Sequence, residues 1–290
     1  MRFCLELFAG SGRFAKSLGR LGYYVIAVDI RFGLDHDLAS ARLRSAILGW
    51  IQAKWVVIVL AGFICSSFSK ARNMPGGPPP LRDSAHVAGF DDLRPSDVIK
   101  VRMGNMWCRW CAKLIRACIV SRVVGLLENP FTSWAWQMPE MLALRRHPQV
   151  SFSRTDFCQW GTPWRKSTGI LSVHVEYQPF CRQCSGGGCS GKLGRGICSK
   201  TNRPHQVLKG QREDGVFWTL VAEPYPEVFC RAVARCCDRG AMALKADKMN
   251  NILQNYAELP SVRSDILEER LRVASPCDIW AGRLQAGACR

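Results

Sequence analysis

An α/β fold, an open Rossmann-like sheet with flanking helices, is predicted by three observations. The chain begins with an apolar run, a glycine turn, a helical pattern, a second apolar run and an acid. Two further runs, 55–60 and 123–127, are too short for helices, and each leads into a residue with chemistry, Cys65 in one case and Glu128 in the other. A strong helical periodicity lies between them. With 290 residues, 48% of them apolar, the chain can bury one sizeable core.

Residues 3–8 predict a strand, broken by Ala9-Gly10-Ser11-Gly12, and residues 13–21 predict a helix on the spacing Phe14, Leu18 and Leu21, ended by Gly22. Residues 24–28 predict a second strand that finishes on Asp29. This is the opening of a nucleotide-binding βαβ unit, in which glycines admit close backbone approach and an acid accepts from ribose hydroxyls. Gly10, Gly12 and Ala15 satisfy G-x-G-x-x-A, and Asp29 lies 29 − 10 = 19 residues after Gly10, so a dinucleotide remains open as the ligand.

The run 55–60 puts Cys65 at a strand's carboxyl end, where open α/β sheets bind ligands. The following loop, with Pro75, Gly76, Gly77 and Pro78 to Pro80, reads as a flap beside the cysteine. Pro95-Ser96 begins a helix, with Ser96 as N-cap and apolar positions at Val98, Val101, Trp107, Trp110, Cys111, Leu114 and Cys118. Cys108 and Cys111 lie one turn apart on it and read as core. The run 123–127 delivers Glu128-Asn129-Pro130 to the same kind of position as Cys65. Strands are expected over 150–158 and 169–175, joined by QWGTPWRK, and 219–237 reads as a turn into an amphipathic helix. Two short helices, 248–259 and 264–273, are expected in the tail, parted by Pro260, with Arg270 and Arg272 on the second.

Lys plus Arg exceed Asp plus Glu by 40 to 23, giving +17 spread along the chain, which favours a polyanionic partner, nucleic acid first. No charged leader or bilayer-length apolar run is found, so no membrane partner and an intracellular location are expected, nuclear in a eukaryote and otherwise cytoplasmic. The 15 cysteines are then free thiols, a metal site or a catalytic thiol rather than a disulfide scaffold. Cys4, Cys118, Cys230, Cys236 and Cys237 read as small core residues.

Between 180 and 210 the composition turns to Gly, Ser, Cys and basic residues, including Gly186-Gly187-Gly188. A segment that cannot bury a core needs a staple, and Cys181, Cys184, Cys198 and His205 are the expected ligands of a structural zinc ion, with Cys189 spare. Free thiols in a loop are the competing reading. Arg182, Lys192, Arg195, Lys200 and Arg203 would make the insertion a phosphate-facing surface.

Taken together, four motifs resemble the carbon-5 cytosine DNA methyltransferases. LELFAGSG is similar to that family's first motif, with Glu6 in place of aspartate. Cys65, Phe68, Ser69 and Ala71 resemble its catalytic loop, with Ile64 for proline and Ser66 for glutamine. Glu128-Asn129 resembles its Glu-Asn-Val, with Pro130 for valine, and Trp160, Gly161, Pro163 and Arg165 resemble its eighth motif. Glu223-Pro224-Tyr225-Pro226 stands where its last motif re-enters the cofactor domain.

The resemblance implies an S-adenosylmethionine-dependent methyltransferase fold: a catalytic domain over 1–177 and 216–245, a target-recognition insertion over 178–215, and a tail over 246–290 to which no role is given. It implies that Phe8 packs beside the cofactor's adenine, that Ala9, Gly10, Ser11 and Gly12 hold its amino-acid portion, and that Asp37 meets the adenine amino group. Cys65 would be the nucleophile, Glu128 would bond the cytosine ring, Asn129 would hold the loop, and Arg165 would pair with substrate phosphate or the base's oxygen side. The substrate implied is duplex DNA with a flipped cytosine, bound by a monomer. Two rivals stand beside it: an inactive nucleic-acid-binding homologue, suggested by the changes around Cys65, and a dinucleotide-dependent oxidoreductase.

Overall fold

The structure, a computed structural model, describes residues 2–73, 77–186 and 196–257. Pro75, Gly76, Gly187, Gly188, Cys189, Lys192, Arg195 and the tail from Pro260 through Arg270 and Arg272 therefore lie outside the described residues. Residues 1–244 form one compact unit and 245–290 a second.

The first unit is α/β, with a mixed six-stranded sheet. In chain order its elements are β1 (Phe3–Leu7), α1 (Arg13–Gly19), β2 (Val25–Val28), α2 (Ala41–Gln52), β3 (Val56–Gly62), α3 (Pro95–Ser121), β4 (Val124–Pro130), α4 (Pro139–Arg145), β5 (Val150–Asp156), β6 (Ser167–Val173) and α5 (Trp218–Val221), followed by α6 (Glu227–Ala257). The strand order is β2-β1-β3-β4-β6-β5. The first four strands are parallel, and β6 runs antiparallel to both of its neighbours. This arrangement is compatible with a Rossmann-like fold. The chain steps outward from β1 to β2 and then returns to the other side of β1 for β3, so the crossovers diverge between β1 and β3. A crevice opens at such a switch point, beyond the strands' carboxyl ends.

Alternation along the strands divides the core into two layers. Leu5, Leu7, Val59, Ala61 and Leu127 meet Ile47, Ile51, Trp107, Cys111, Leu114, Trp136 and Met141 of the α2, α3 and α4 side. Cys4, Ile58, Leu60 and Leu126 meet Phe14 and Leu18 of α1 and Phe229, Val233 and Cys237 of α6. The cysteines expected in the core, Cys4, Cys118, Cys230, Cys236 and Cys237, are buried, as are Cys108 and Cys111, and none is bonded to another.

Several boundaries differ from expectation. Helix α1 stops at Gly19 and leaves Leu21 exposed. Helix α3 is capped by Arg94 with Pro95 at its first turn, so Ser96 is inside the helix rather than its cap. Strand β5 ends at Asp156, because 157–160 tightens into a 3₁₀ turn. Helix α6 continues to Ala257 through the place where a second helix was expected to start. Helices α2 and α4 were not expected. Yet α2 carries Leu43, Ile47 and Ile51 at helical spacing, and the Ser40 hydroxyl accepts the Leu43 N–H at 3.3 Å. No helix among the described residues is long and apolar enough to cross a membrane.

Candidate functional site

At the switch point lies a cavity of about 710 Å³. Its floor comes from the turn after β1, with Phe8, Ala9, Gly10 and Ser11, and one wall from the segment after β2, with Asp29, Arg31 and Asp37. The opposite wall holds Cys65 after β3, Glu128 on β4 and Lys166 before β6, while Glu223 and Tyr225 close it from the α5–α6 connection. Residues widely separated in the chain thus converge on one rim, because the carboxyl ends of β1 to β4 and the start of the antiparallel β6 share one edge of the sheet and the α5–α6 connection crosses it.

The turn after β1 is built for close approach. Gly10 and Gly12 adopt φ of 53° and 64°, where a side chain is strained, and Phe8 takes φ 54° with its ring edge-on to Trp107 at 5.2 Å. Asp29 fixes the turn: Oδ2 accepts the Gly10 N–H at 2.8 Å and Oδ1 accepts the Arg31 N–H at 3.0 Å. Asp37 lines the same wall and accepts the Ala39 N–H at 2.8 Å. Gly12 is not in the wall and instead caps α1. Trp107, expected as core, is buried but also lines the cavity, and its indole N–H has no partner among the described residues.

Beneath the turn Glu6 is fully buried, and its Oε2 accepts the Ala15 N–H at 2.7 Å. Burial, opposed by the Ala15 and Phe14 amides, lifts its carboxyl from 4.5 to about 7. The unfolded carboxyl ionises first, so folding takes up a proton in this window. The site's contribution is full below pH 4.5 and is lost as pH rises through about 7. Glu6→Gln keeps an acceptor for Ala15 and is expected to abolish a fall of about 3 kcal/mol. Urea midpoints at pH 5 and pH 8 check this, and an unchanged pH dependence in the variant would refute it.

Cys65 is half-buried and belongs to a loop held from several sides. Its carbonyl accepts the Phe68 N–H at 2.9 Å, and Asn129 donates from Nδ2 to the Phe63 carbonyl at 2.8 Å, which ties the end of β3 to β4. Arg82 was not singled out from the sequence. Its guanidinium is buried and donates to the Ser67 carbonyl and hydroxyl, the Val87 and Val101 carbonyls and Asn105 Oδ1, at 2.7–3.1 Å, while lying 3.8 Å over the Phe68 ring. Burial pulls its pKa down to about 10.

Glu128 accepts a hydrogen bond at 2.9 Å from the Tyr225 hydroxyl, which reaches it over Gly62, where a Cβ would strike the phenol oxygen. Burial raises the Glu128 carboxyl, against Lys166 and the Tyr225 bond. Burial raises the Cys65 thiol too; Glu128 and Glu223 add to that, and Lys166 opposes it. Tyr225 carried no sequence signal, since a lone tyrosine between prolines does not point to a carboxylate 97 positions earlier.

Arg165 is placed elsewhere. Its guanidinium donates to the carbonyls of Cys184 and Gly186 and pairs with Asp156 at 3.4 Å, and it is its neighbour Lys166 that lines the cavity, on the Cys65 and Glu128 side. Lys166 donates to the Ala222 carbonyl at 2.9 Å. The motif pointed to Arg165, whereas Lys166 is the one that lines the cavity, because adjacent side chains leave an extended segment on opposite sides.

A second group lies outside the cavity. Cys158, Cys184, Cys198 and His205 are all buried and bring their ligand atoms within 4.8 Å of one another, so they could hold a metal ion. Cys181 does not belong to this group and is half-buried beside Ser153. Cys158, hidden from sequence reading in what looked like strand, takes its place. The Ser199 N–H and hydroxyl donate to the Cys184 sulfur at 3.4 and 3.5 Å, helping to lower that thiol to about 6 despite desolvation. Gln159 Nε2 lies 3.6 Å from the Cys158 sulfur and 3.9 Å from that of Cys198. Around the group Arg182, Lys200 and Arg203 are exposed, and the Arg182 guanidinium lies 4.2 Å over the Trp160 ring. No protein-family model matches the chain, and no curated protein matches it.

Proposed function

We propose that the chain is an S-adenosylmethionine-dependent methyltransferase that acts at carbon 5 of cytosine in DNA. The observation that carries this reading is the meeting of Cys65, Glu128 and the Gly10, Asp29 and Asp37 surfaces in one cavity. A nucleoside against the glycine turn would bring its ribose near Asp29, its adenine near Phe8 and Asp37, and its sulfonium toward Cys65. A flipped cytosine would enter on the Cys65 and Glu128 side.

Carbon 5 of cytosine is a poor nucleophile. Addition of the Cys65 sulfur to carbon 6 makes it an enamine carbon, which takes the methyl as the sulfonium's carbon–sulfur bond breaks and S-adenosylhomocysteine leaves. Loss of the carbon 5 proton to water, with the N3 proton returned to Glu128, would then expel the Cys65 thiolate. A protonated Glu128 would donate to ring N3, a role suited to a buried carboxyl whose other oxygen is held by Tyr225. Lys166 would favour the thiolate electrostatically. Three thiols and one imidazole suit a structural zinc ion at the second group, and the exposed arginines and lysine beside it would face DNA phosphates.

The test is mass spectrometry of DNA incubated with the protein and isotopically labelled S-adenosylmethionine. Label at cytosine carbon 5 is the expected result. Binding of a nicotinamide dinucleotide in its place, or DNA binding with no labelled base, would overturn the reading.

A further inference from the structure

The connection from β5 to β6 joins the two sites. Asp156, the last residue of β5, accepts the Cys184 N–H at 2.8 Å and the Ser167 hydroxyl, and pairs with Arg165. Arg165 returns two bonds to the insertion, to the carbonyls of Cys184 and Gly186. The Phe157 N–H donates to the Arg165 carbonyl at 2.8 Å, which sets the backbone from which Lys166 enters the cavity. Cys158 follows directly. Ligands from 158, 184, 198 and 205 therefore come from both the β5–β6 turn and the insertion bonded to it, and owe their approach to no single element.

The geometry of the group also fits. Zinc bonds of about 2.3 Å to sulfur and 2.0 Å to nitrogen put tetrahedral S and N ligands roughly 3.5 Å apart. Cys184 Sγ and His205 Nε2 are 3.7 Å apart, and His205 Nδ1 is buried with no partner among the described residues. The Ser199 and Gln159 donors surround the sulfurs as outer-shell groups do.

We propose that zinc bound by Cys158, Cys184, Cys198 and His205 fastens the insertion to the β5–β6 turn, and that this fastening holds Lys166 against Cys65 and Glu128. It makes the reactivity of Cys65 depend on a metal outside the cavity. The inference rests on zinc as the metal and on Cys65 as the reactive thiol, and needs no cofactor or DNA to be tested. The charged groups that act on Cys65 are Glu128, Glu223, which is paired with Arg31 at 2.6 Å, and Lys166, so displacement of the lysine removes the side-chain cation that favours the thiolate.

The experiment uses the full chain. Zinc is measured by inductively coupled plasma mass spectrometry, and alkylation of Cys65 by iodoacetamide is followed on its own peptide at pH 8. Wild type and Cys181→Ser are expected to carry one zinc per chain, and Cys158→Ser none. Stripping zinc from wild type with a chelator is expected to slow Cys65 alkylation about fivefold to tenfold, since one unit of thiol pKa is a factor of ten in thiolate. Lys166→Met with zinc in place should be as slow, and stripping it should add nothing. Zinc loss in Cys181→Ser but not in Cys158→Ser overturns the ligand set, as does a wild type without zinc. An unchanged or faster Cys65 rate on stripping overturns the coupling. If these results hold but no DNA is methylated, the methyltransferase reading fails and the fastening stands.

Discussion

Cys65→Ser is expected to lower methyl transfer by roughly 10⁴-fold or more while leaving cofactor affinity unchanged, because a hydroxyl replaces the sulfur that adds to the base. The side chain is half-buried at the cavity wall and its neighbours are held by backbone bonds, so the replacement of sulfur by oxygen leaves the turn intact. The contacts proposed for the cofactor lie away from Cys65, on the cavity floor at Gly10 and on the opposite wall at Asp29 and Asp37. Single-turnover transfer of labelled methyl, with calorimetric titration of S-adenosylmethionine, separates the two effects. Transfer within tenfold of wild type would remove Cys65 from the chemistry. Loss of cofactor binding in parallel would mean the residue serves the fold instead.

Arg82→Met is expected to cost about 3–5 kcal/mol of stability, the largest loss for any single side chain considered. A buried guanidinium that makes five hydrogen bonds to neutral oxygens fills its donor capacity without a carboxylate partner. Methionine matches the stem but leaves the Ser67, Val87 and Val101 carbonyls without the donor they now have, each at about 1–3 kcal/mol, offset in part by relief from burying the charge. The loop from Cys65 to Phe68 would loosen at the same time, since Ser67 is held through both its carbonyl and its hydroxyl. Urea denaturation gives the stability, and limited proteolysis near residue 67 gives the loop. A loss below 1 kcal/mol, with the loop still protected, would show that water replaces the guanidinium without penalty.

What could be read from the sequence follows a physical division. Strands buried on both faces are continuous apolar runs, so 55–60 and 123–127 announce themselves together with the Cys65 and Glu128 they deliver. Glycines at positive φ, as at Gly10 and Gly12, are equally visible. Arg82 leaves no such trace, because its partners include backbone carbonyls that any residue supplies. Tyr225 meets Glu128 only once α6 has packed on the sheet. Proximity in the chain misled twice. Cys181 and Cys184 look like a pair, yet Cys158, 184 − 158 = 26 positions before Cys184, shares the cluster. Arg165 and Lys166 are adjacent, and only the second enters the cavity.

Consider, last, the timetable of synthesis. The final strand of the sheet ends at Val173, whereas Glu223 and Tyr225, which complete the cavity wall, leave the ribosome only after the whole insertion. A nascent chain can therefore own every strand and still lack the phenol that restrains Glu128. On the proposed reading, the chamber in which Cys65 would meet a methyl donor is finished only late in translation.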